Sequence, residues 1–282
     1  MTDLLPDIGQ VREVEIDGLR IRVATTSPVS GIPVLLTSPW PESIYAFRDV
    51  VGTLRRDFAL ILMDLPGFGH SEGRVDVLSP EAMGEFIIKA ADCLGLSRLH
   101  AVGPDVGTAA LLFAASSKST LFESLVVGSG GVSTDLVAGD LKQLIASPIG
   151  AFANIEGGDI GSSFVAASSA RKPPAAVIDD YRLASAGHRF EDAVNYVRAY
   201  SQQLPRLQRL LPEIETPVFI IAGEHDPIVP PANGQLLADR LPHNRYSLLQ
   251  GGHLIWEDAA EDYAAKVSQW LKHGYKQLLV AK

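Results

Sequence analysis

Three side chains that can do chemistry each stand just after a short apolar run: Asp105, Asp226 and His253. A carboxylate can attack an sp3 carbon that bears a leaving group, because the product is an ester rather than a labile anhydride. A histidine oriented by a second carboxylate can then take a proton from water. These residue types therefore predict that an alkyl-enzyme ester forms on Asp105. Water then hydrolyses this ester after His253, oriented by Asp226, has taken a proton from it.

The segment 103–107, with the sequence GPDVG, predicts a sharp turn from a strand into a helix with Asp105 at its apex. The apex of such a turn is crowded, and glycines on both sides relieve the crowding. The N-terminus of the following helix favours a negative charge at the apex. The alternative is structural: Asp105 only caps the helix, since aspartate is a favoured N-cap residue.

A second turn, TSPWPE at 37–42, follows another apolar run. Trp40 can supply a backbone N–H in this turn, whereas Pro39 and Pro41 cannot. Val106, directly after Asp105, can supply another. Two such donors would form an oxyanion hole for the charge that develops when water attacks the Asp105 ester. The alternative is an ordinary proline-rich loop.

Apolar runs alternate with amphipathic segments along the chain, a rhythm typical of a mostly parallel, doubly wound α/β sheet. Alternation around Asp17 and Gly18 predicts a hairpin over residues 14–24. In a parallel sheet, functional residues gather beyond the carboxyl ends of the strands, so we expect the side chains above to meet at one edge. The predicted strands are 33–37, 58–63, 100–103, 121–128, 217–222 and 245–249, and the predicted helices are 43–55, 80–94, 106–117, 233–241 and 259–275.

The alternation of strands and helices stops over residues 131–206, which are rich in alanine, serine and glycine. We interpret this segment as a helical insertion into one core formed by residues 1–130 and 207–282. Amphipathic stretches at 135–145 and 190–200 predict helices within it. Such an insertion can act as a lid that excludes water and shapes an apolar pocket.

Length and composition exclude several classes of protein. The chain has 282 residues, of which 46% are hydrophobic and 20% charged, so it is neither a disordered tail nor a coiled coil. A formal net charge of −9 argues against binding to nucleic acid or to an anionic membrane surface. The apolar runs are too short to span a bilayer. We expect a small apolar organic substrate, and the sequence leaves a homodimer open.

Cysteine usage and the first residues bear on the compartment. The single cysteine, Cys93, excludes an internal disulfide and fits a reducing environment. The first ten residues carry Asp3 and Asp7 and no basic stretch, so we expect no secretory leader and a cytoplasmic location. No HxxxH or HExxH spacing supports a metal site among the histidines. We therefore expect neither a metal nor another cofactor.

The chain resembles the α/β-hydrolase superfamily over nearly its whole length. The order Asp105, Asp226 and His253 is the chain order of nucleophile, acid and histidine in that superfamily. The segment 64–71, DLPGFGHS, looks like its D-x-x-G-x-G-x-S loop. Aspartate in place of serine makes the chain similar to the branch of epoxide hydrolases and haloalkane dehalogenases. The resemblance implies the α/β-hydrolase fold with an inserted helical lid.

Two further segments are similar to motifs of epoxide hydrolases. The segment 38–42, SPWPE, resembles the H-G-x-P motif, with serine and proline in place of its histidine and glycine. The segment 195–198, NYVR, looks like the lid segment that carries an epoxide-activating tyrosine. This likeness implies Tyr196 as the acid that protonates the epoxide oxygen. The resemblance thus implies hydrolysis of an epoxide to a diol.

The chain departs from this branch at two further positions, which leaves other reactions open. Val106 stands where both families usually have tryptophan, whose indole N–H helps a dehalogenase to hold the halide. Phe152 stands near the place expected for the first of two lid tyrosines, which Tyr181 or Tyr200 could replace. The alternatives are a haloalkane dehalogenase, a lyase or cyclase in which Asp105 is a base, and a small-molecule binder without catalysis.

Overall fold

An eight-stranded sheet forms the centre of the computed structural model, which describes residues 5–27 and 29–279. The prediction about the first ten residues therefore falls in part, at Asp3, outside the described residues. The strands are β1 (Gln10–Ile16), β2 (Leu19–Thr25), β3 (Val34–Thr37), β4 (Leu60–Met63), β5 (Leu99–Pro104), β6 (Phe122–Gly128), β7 (Val218–Gly223) and β8 (Asn244–Leu249).

The sheet has the predicted mostly parallel, doubly wound arrangement. Its strand order is β1-β2-β4-β3-β5-β6-β7-β8. Strands β1 and β2 form the predicted hairpin around Asp17 and Gly18, and β2 is antiparallel to β4. Every other neighbouring pair is parallel. The carboxyl ends of β3, β5, β7 and β8 therefore lie at the same edge, where the predicted site residues follow them.

Helices cover both faces of the sheet, which explains why its parallel strands are continuously apolar. Within β3, Leu35 packs into the hydrophobic cluster on one face, whereas Val34 and Leu36 pack into the cluster on the other. No helix in the described ranges is long and apolar enough to cross a membrane. The helices are α1 (Arg48–Leu54), α2 (Pro80–Cys93), α3 (Val106–Ser117), α4 (Gly139–Ala146), α5 (Gly157–Ser168), α6 (Ala175–Ala184), α7 (Arg189–Arg198), α8 (Tyr200–Leu210), α9 (Ala232–Arg240), α10 (Ile255–Asp258), α11 (Ala260–Gln269) and α12 (Lys276–Leu279).

The helices of the core follow the predictions closely, with two differences. Helix α3 coincides with the predicted helix 106–117, and the predicted helix 43–55 begins as a 3₁₀ turn before α1. The predicted helix 259–275 is interrupted by a π-helical turn at Trp270–Gly274. The buried Trp270 ring packs on Phe219 at a centroid distance of 5.4 Å and donates to Ser124 Oγ, and the wider turn gives this ring room.

Helices α4 to α8 lie between β6 and β7, and the described chain contains no strand between them. The predicted helix 135–145 begins later, at Gly139, and ends at Ala146. The predicted helix 190–200 is two helices, α7 and α8, which meet at Ala199. We call the segment of α4 to α8, residues 139–210, the insertion.

Asp180 of α6 connects the insertion to the core through hydrogen bonds and an ion pair. Its carboxylate accepts hydrogen bonds from the Arg22 guanidinium at 3.0 and 3.3 Å and from Ser43 Oγ at 2.5 Å. The ring of His70 lies 3.0 Å from the same carboxylate. Arg22 also pairs with Asp64 at 2.6 Å, so one guanidinium bridges two buried carboxylates. These contacts hold the insertion over the strand ends that carry the predicted site residues.

Candidate active site

Asp105 stands at the predicted turn between β5 and α3, with its backbone in the left-handed region at φ +53°. A Cβ on Gly107 would lie 2.5 Å from Thr37 Oγ1, and one on Gly103 would lie 2.5 Å from Leu111 Cδ1. These approaches are too close for any side chain, which explains both glycines of the GPDVG segment. The Asp105 side chain makes no capping hydrogen bond to α3. It is therefore turned towards other partners.

The two carboxylate oxygens of Asp105 face different groups. Oδ2 accepts a hydrogen bond from the Trp40 N–H at 2.8 Å, and Oδ1 lies 3.7 Å from His253 Nε2. Trp40 belongs to the turn after β3 and is joined to Pro41 by a cis peptide bond. Val106 is the first residue of α3, so its N–H has no partner within the helix. Of the two predicted oxyanion donors, the Trp40 N–H contacts the Asp105 carboxylate, and the Val106 N–H follows Asp105 directly in the chain.

Asp226 orients His253. The histidine Nδ1 lies 2.8 Å from Asp226 Oδ2, while Asp226 Oδ1 accepts from the N–H groups of Ile228 and Val229 at 2.9 Å each. These bonds hold the carboxylate still and direct Nε2 of the histidine towards Asp105. The structure therefore brings together the three side chains that the sequence analysis placed after separate strands.

The protonation of His253 depends on both carboxylates. Burial lowers the pKa of His253, but the negative charges of Asp226 and Asp105 outweigh burial and raise this pKa to about 10. The two negative charges therefore favour the imidazolium form of His253 at neutral pH. The histidine can act as a base only after one of the two negative charges is removed.

Tyr196 lies beside this site, although its hydroxyl has another partner. The hydroxyl donates to the Val106 carbonyl oxygen at 2.6 Å, and the ring packs edge-on against Phe68 at 5.4 Å. Burial, followed by the charges of Tyr200 and Asp105, raises the pKa of Tyr196 well above its ordinary value. The phenol is therefore protonated, and its proton is held by a carbonyl one residue beyond Asp105.

Tyr200 is a second phenol near Asp105. Its ring contacts that of Tyr196 at 5.7 Å, and the side chain is buried. Burial first, and the charge of Asp105 second, raise the pKa of Tyr200. Tyr200 follows Tyr196 by four residues, and this helical spacing indicates that both rings lie on the same side of the chain.

The position expected for the first lid tyrosine holds Phe152 instead, and its ring contacts Phe190 at 5.4 Å. Phe190 in turn contacts Trp40 at 5.2 Å, and Phe164 contacts the His253 ring at 6.4 Å. Aromatic rings thus pack against Trp40 and His253, the two partners of Asp105, which favours an apolar substrate. Among residues 5–27 and 29–279, no group of three or more histidines, cysteines or acids could hold a metal ion.

Two buried acids near the site were not predicted, because no pattern in the sequence indicates that they are buried. Glu42, in the Trp40 turn, is fully buried and accepts from Trp256 Nε1 at 3.2 and 3.1 Å. Glu257 of α10 is also buried and accepts from Tyr181 at 2.6 Å and from Arg48. Tyr181, a candidate to replace the missing tyrosine, is therefore committed to this acid.

Comparison with known proteins gives relatives of several kinds, among them an epoxide hydrolase, a haloalkane dehalogenase and a poly(3-hydroxyalkanoate) depolymerase. The chain is 28% identical to a soluble epoxide hydrolase of Corynebacterium sp., over 48% of this chain and 44% of that protein. It is 26% identical to haloalkane dehalogenase 2 of Mycobacterium bovis, over 89% of this chain and 92% of that protein. Among solved structures, the epoxide hydrolase CorEH without ligand is similar with a TM-score of 0.77 at 16% identity, covering 93% of this chain and 98% of that chain.

The structural likeness at this identity reflects the fold alone, whereas the family is assigned by sequence. The sequence model described as alpha/beta hydrolase fold matches residues 32–260, from before β3 to the start of α11. The matched part includes the turn of Trp40, the β5–α3 turn of Asp105, and both Asp226 and His253. The chain therefore belongs to the alpha/beta hydrolase fold family.

Proposed function

We propose that this hydrolase converts an epoxide into a diol through a covalent ester on Asp105. The proposal rests on the placement of the Asp105 carboxylate between a backbone N–H donor and a histidine. The Trp40 N–H binds Oδ2 of Asp105, while Oδ1 faces a histidine that Asp226 orients. A carboxylate in this position can act as a nucleophile at carbon and, once esterified, lies beside both a base and oxyanion donors.

In the first step, an Asp105 oxygen attacks an epoxide carbon, and the bond from that carbon to the ring oxygen breaks. The ring oxygen takes the phenol proton of Tyr196, which must turn away from the Val106 carbonyl to donate it. The products are a neutral ester on Asp105, a hydroxyl on the substrate and a tyrosinate. Because the buried tyrosinate is unstable, it is a strong acceptor for the next proton.

In the second step, loss of the Asp105 charge lowers the pKa of His253, because one of the two carboxylates that raised it is now neutral. The imidazolium returns a proton to the tyrosinate and becomes a base. Neutral His253 then takes a proton from water, and the hydroxide adds to the Asp105 carboxyl carbon between the Trp40 and Val106 N–H groups.

The tetrahedral intermediate collapses by breaking its bond to the substrate oxygen. That oxygen takes the proton of the newly added hydroxyl and leaves as the diol. Asp105 is again a carboxylate and His253 is again an imidazolium, which is the starting state. The cycle needs no oxidant, reductant, metal or other cofactor. Its substrate is a small apolar epoxide.

Halide displacement is the second candidate, because the relative named haloalkane dehalogenase is matched over 92% of its length. The same Asp105 ester would form with chloride as the leaving group. Val106 offers no side-chain donor to the halide, so we propose that epoxides are the better substrates. A cytoplasmic location and a homodimer stay predictions from the sequence.

Turnover in ¹⁸O-labelled water tests the proposal, with styrene oxide as the first substrate of an epoxide panel. A covalent ester requires water to attack the Asp105 carboxyl carbon, so repeated turnover must place ¹⁸O in that carboxylate. Peptide mass mapping should find the label in the peptide that contains residues 103–107. Diol formation with label-free Asp105 would contradict the ester and favour a reaction in which Asp105 is a base.

A further inference from the structure

Helix α6 of the insertion is hydrogen-bonded to the turn that carries Trp40. The Asp180 carboxylate accepts a hydrogen bond from Ser43 Oγ at 2.5 Å, and Ser43 stands three residues after Trp40. Both side chains of this bond are buried. Ser43 Oγ also accepts the N–H of Tyr45 at 3.3 Å and so caps the 3₁₀ turn that precedes α1. The docking of α6 therefore holds the segment that presents the Trp40 N–H to Asp105.

The next residue of α6, Tyr181, is hydrogen-bonded to the helix that follows His253. Its hydroxyl donates to Glu257 Oε1 at 2.6 Å, and α10, which contains Glu257, begins two residues after His253. The Arg48 guanidinium pairs with Glu257 and donates to the Tyr181 hydroxyl at 3.3 Å. It also donates to the Tyr45 carbonyl oxygen at 3.2 Å. Helix α6, helix α10 and the 3₁₀ turn before α1 therefore meet in one buried set of hydrogen bonds.

The groups that act in the first step are held by other elements. Asp105 stands between β5 and α3, and Tyr196 of α7 is hydrogen-bonded to the Val106 carbonyl oxygen of α3. The Trp40 N–H stabilises the negative charge that Asp105 carries before attack, so a looser turn does not slow the attack. During hydrolysis, negative charge returns to this carboxyl group and needs the same donor. The contacts of α6 thus bear on the second step.

We propose that Asp180 and Tyr181 are positioning residues for hydrolysis of the ester. Asp180 acts through Ser43 on the turn that holds the oxyanion donor, and Tyr181 acts through Glu257 on the loop that holds the base. Docking of α6 thereby brings the oxyanion donor and the base into their reactive arrangement. The role of the two residues rests on the proposed ester intermediate, and it makes hydrolysis of that ester dependent on the docked insertion.

Two variants each remove one hydroxyl that connects α6 to the site. Ser43→Ala breaks the bond to Asp180, and Tyr181→Phe breaks the bond to Glu257. Single-turnover reactions with styrene oxide, followed by intact mass, measure how fast the ester appears and disappears. In both variants hydrolysis should slow about tenfold, a typical effect of misplacing reacting groups, while formation stays within about twofold of wild type.

Tyr246→Phe is the matched control, because it removes a tyrosine hydroxyl that bonds the Pro231 carbonyl oxygen at 2.9 Å, between β8 and the start of α9. It should change neither rate. Equal slowing of formation and hydrolysis in Tyr181→Phe, or unchanged hydrolysis, would overturn the positioning role. Absence of any ester in wild type and in His253→Ala would instead contradict the proposed function, so the two failures are distinguishable.

Hydrogen–deuterium exchange without substrate tests the docking itself and does not depend on the reaction. Exchange should rise about fivefold at residues 38–48 in Ser43→Ala and at residues 253–258 in Tyr181→Phe, as expected for the loss of one hydrogen bond. Tyr246→Phe should leave both segments as in wild type. If Ser43→Ala does not fold, Tyr181→Phe alone decides. Unchanged exchange in the variants, or the same rise in the control, would overturn the proposal whatever the kinetic result.

Discussion

The charges on either side of His253 govern when this residue can act as a base. Asp226 and Asp105 together raise its pKa to about 10, so the resting enzyme stores a proton there. In the proposed reaction, esterification removes the charge of Asp105 and so releases that proton at the step where a base is required. The pKa of His253 thus connects the two half-reactions, and each carboxylate has a separate role that mutation can isolate.

Asp226→Asn should slow hydrolysis of the ester more than its formation. The amide cannot balance the imidazolium, and its NH₂ group can turn the histidine to the wrong tautomer. We expect turnover to fall about 10²-fold to 10⁴-fold, with ester accumulating but less than in His253→Ala. Rapid-quench mass spectrometry measures both rates. Loss of ester formation alone would contradict the assigned role of Asp226.

Tyr196→Phe and Tyr200→Phe separate the two phenols beside Asp105. If Tyr196 donates its proton to the epoxide oxygen, its variant should open epoxides about 10²-fold more slowly and leave halide displacement nearly unchanged. Tyr200→Phe should lose less, since its hydroxyl has no assigned step. Single-turnover rates with an epoxide and a chloroalkane give the comparison. A larger epoxide-specific loss in Tyr200→Phe would transfer the acid role to Tyr200.

At the scale of elements, the β5–α3 turn depends on glycines that leave room for Thr37. Gly107→Ala should destabilise the protein by about 2 kcal/mol, since its Cβ would lie 2.5 Å from Thr37 Oγ1. Gly52→Ala in α1 is the matched control: no atom lies within 4 Å of its Cβ, so we expect stabilisation of up to about 1 kcal/mol. Urea unfolding measures both changes. Equal effects would show that the turn tolerates a side chain.

The contact of α6 with the core should depend on pH through Asp180. Burial raises the pKa of Asp180, but His70 and Arg22 outweigh burial and hold this pKa below its ordinary value. A lowered folded-state pKa means that Asp180 contributes stability above pH 4 or so, which is lost as the pH falls further.

Asp180→Asn should therefore lower the melting temperature at pH 7, and the difference from wild type should shrink towards pH 3. The neighbouring Asp179 is exposed and lies 3.8 Å from Arg182, so Asp179→Asn should change little at either pH. Calorimetry at the two pH values gives the result. A difference that stays constant with pH would contradict the ion-pair account of this contact.

The parallel core could be predicted because its strands are short apolar runs that end in glycine or polar residues. Those ends also located Asp105, Asp226 and His253, which no local pattern alone would connect. Other features depend on tertiary packing. Glu42 and Glu257 are both buried, although glutamate is ordinarily exposed, and the residues that donate to them are far away in the sequence or unmarked by any motif. The partner of the Tyr196 hydroxyl depends on how α7 docks against α3, and the break at Ala199 has no sequence signal.

On the scale of the whole molecule, aromatic side chains of the insertion and of the core pack together beside the active site. Trp40 and Phe68 from the core meet Phe190 and Tyr196 from the insertion. Such walls exclude water during the attack at carbon and favour apolar substrates. They do not by themselves distinguish an epoxide from a haloalkane, so the leaving group must be tested directly.

In a panel of epoxides and chloroalkanes matched in size, epoxides should be turned over faster. An epoxide oxygen can be protonated by a phenol, whereas a halide needs hydrogen-bond donors that Val106 does not provide. Diol formation and chloride release measure the two reactions. Fast chloride release without any diol from the epoxides would reverse the order and favour dehalogenation.

The central claim, a covalent ester on Asp105, is tested most directly by the intact mass of His253→Ala after incubation with an accepted epoxide. Without its base the variant should form the ester but not hydrolyse it, so its mass should rise by the mass of the epoxide. Peptide mapping should place the addition at residues 103–107, and Asp105→Ala should show none. An adduct in Asp105→Ala, or no adduct in His253→Ala, would contradict the account.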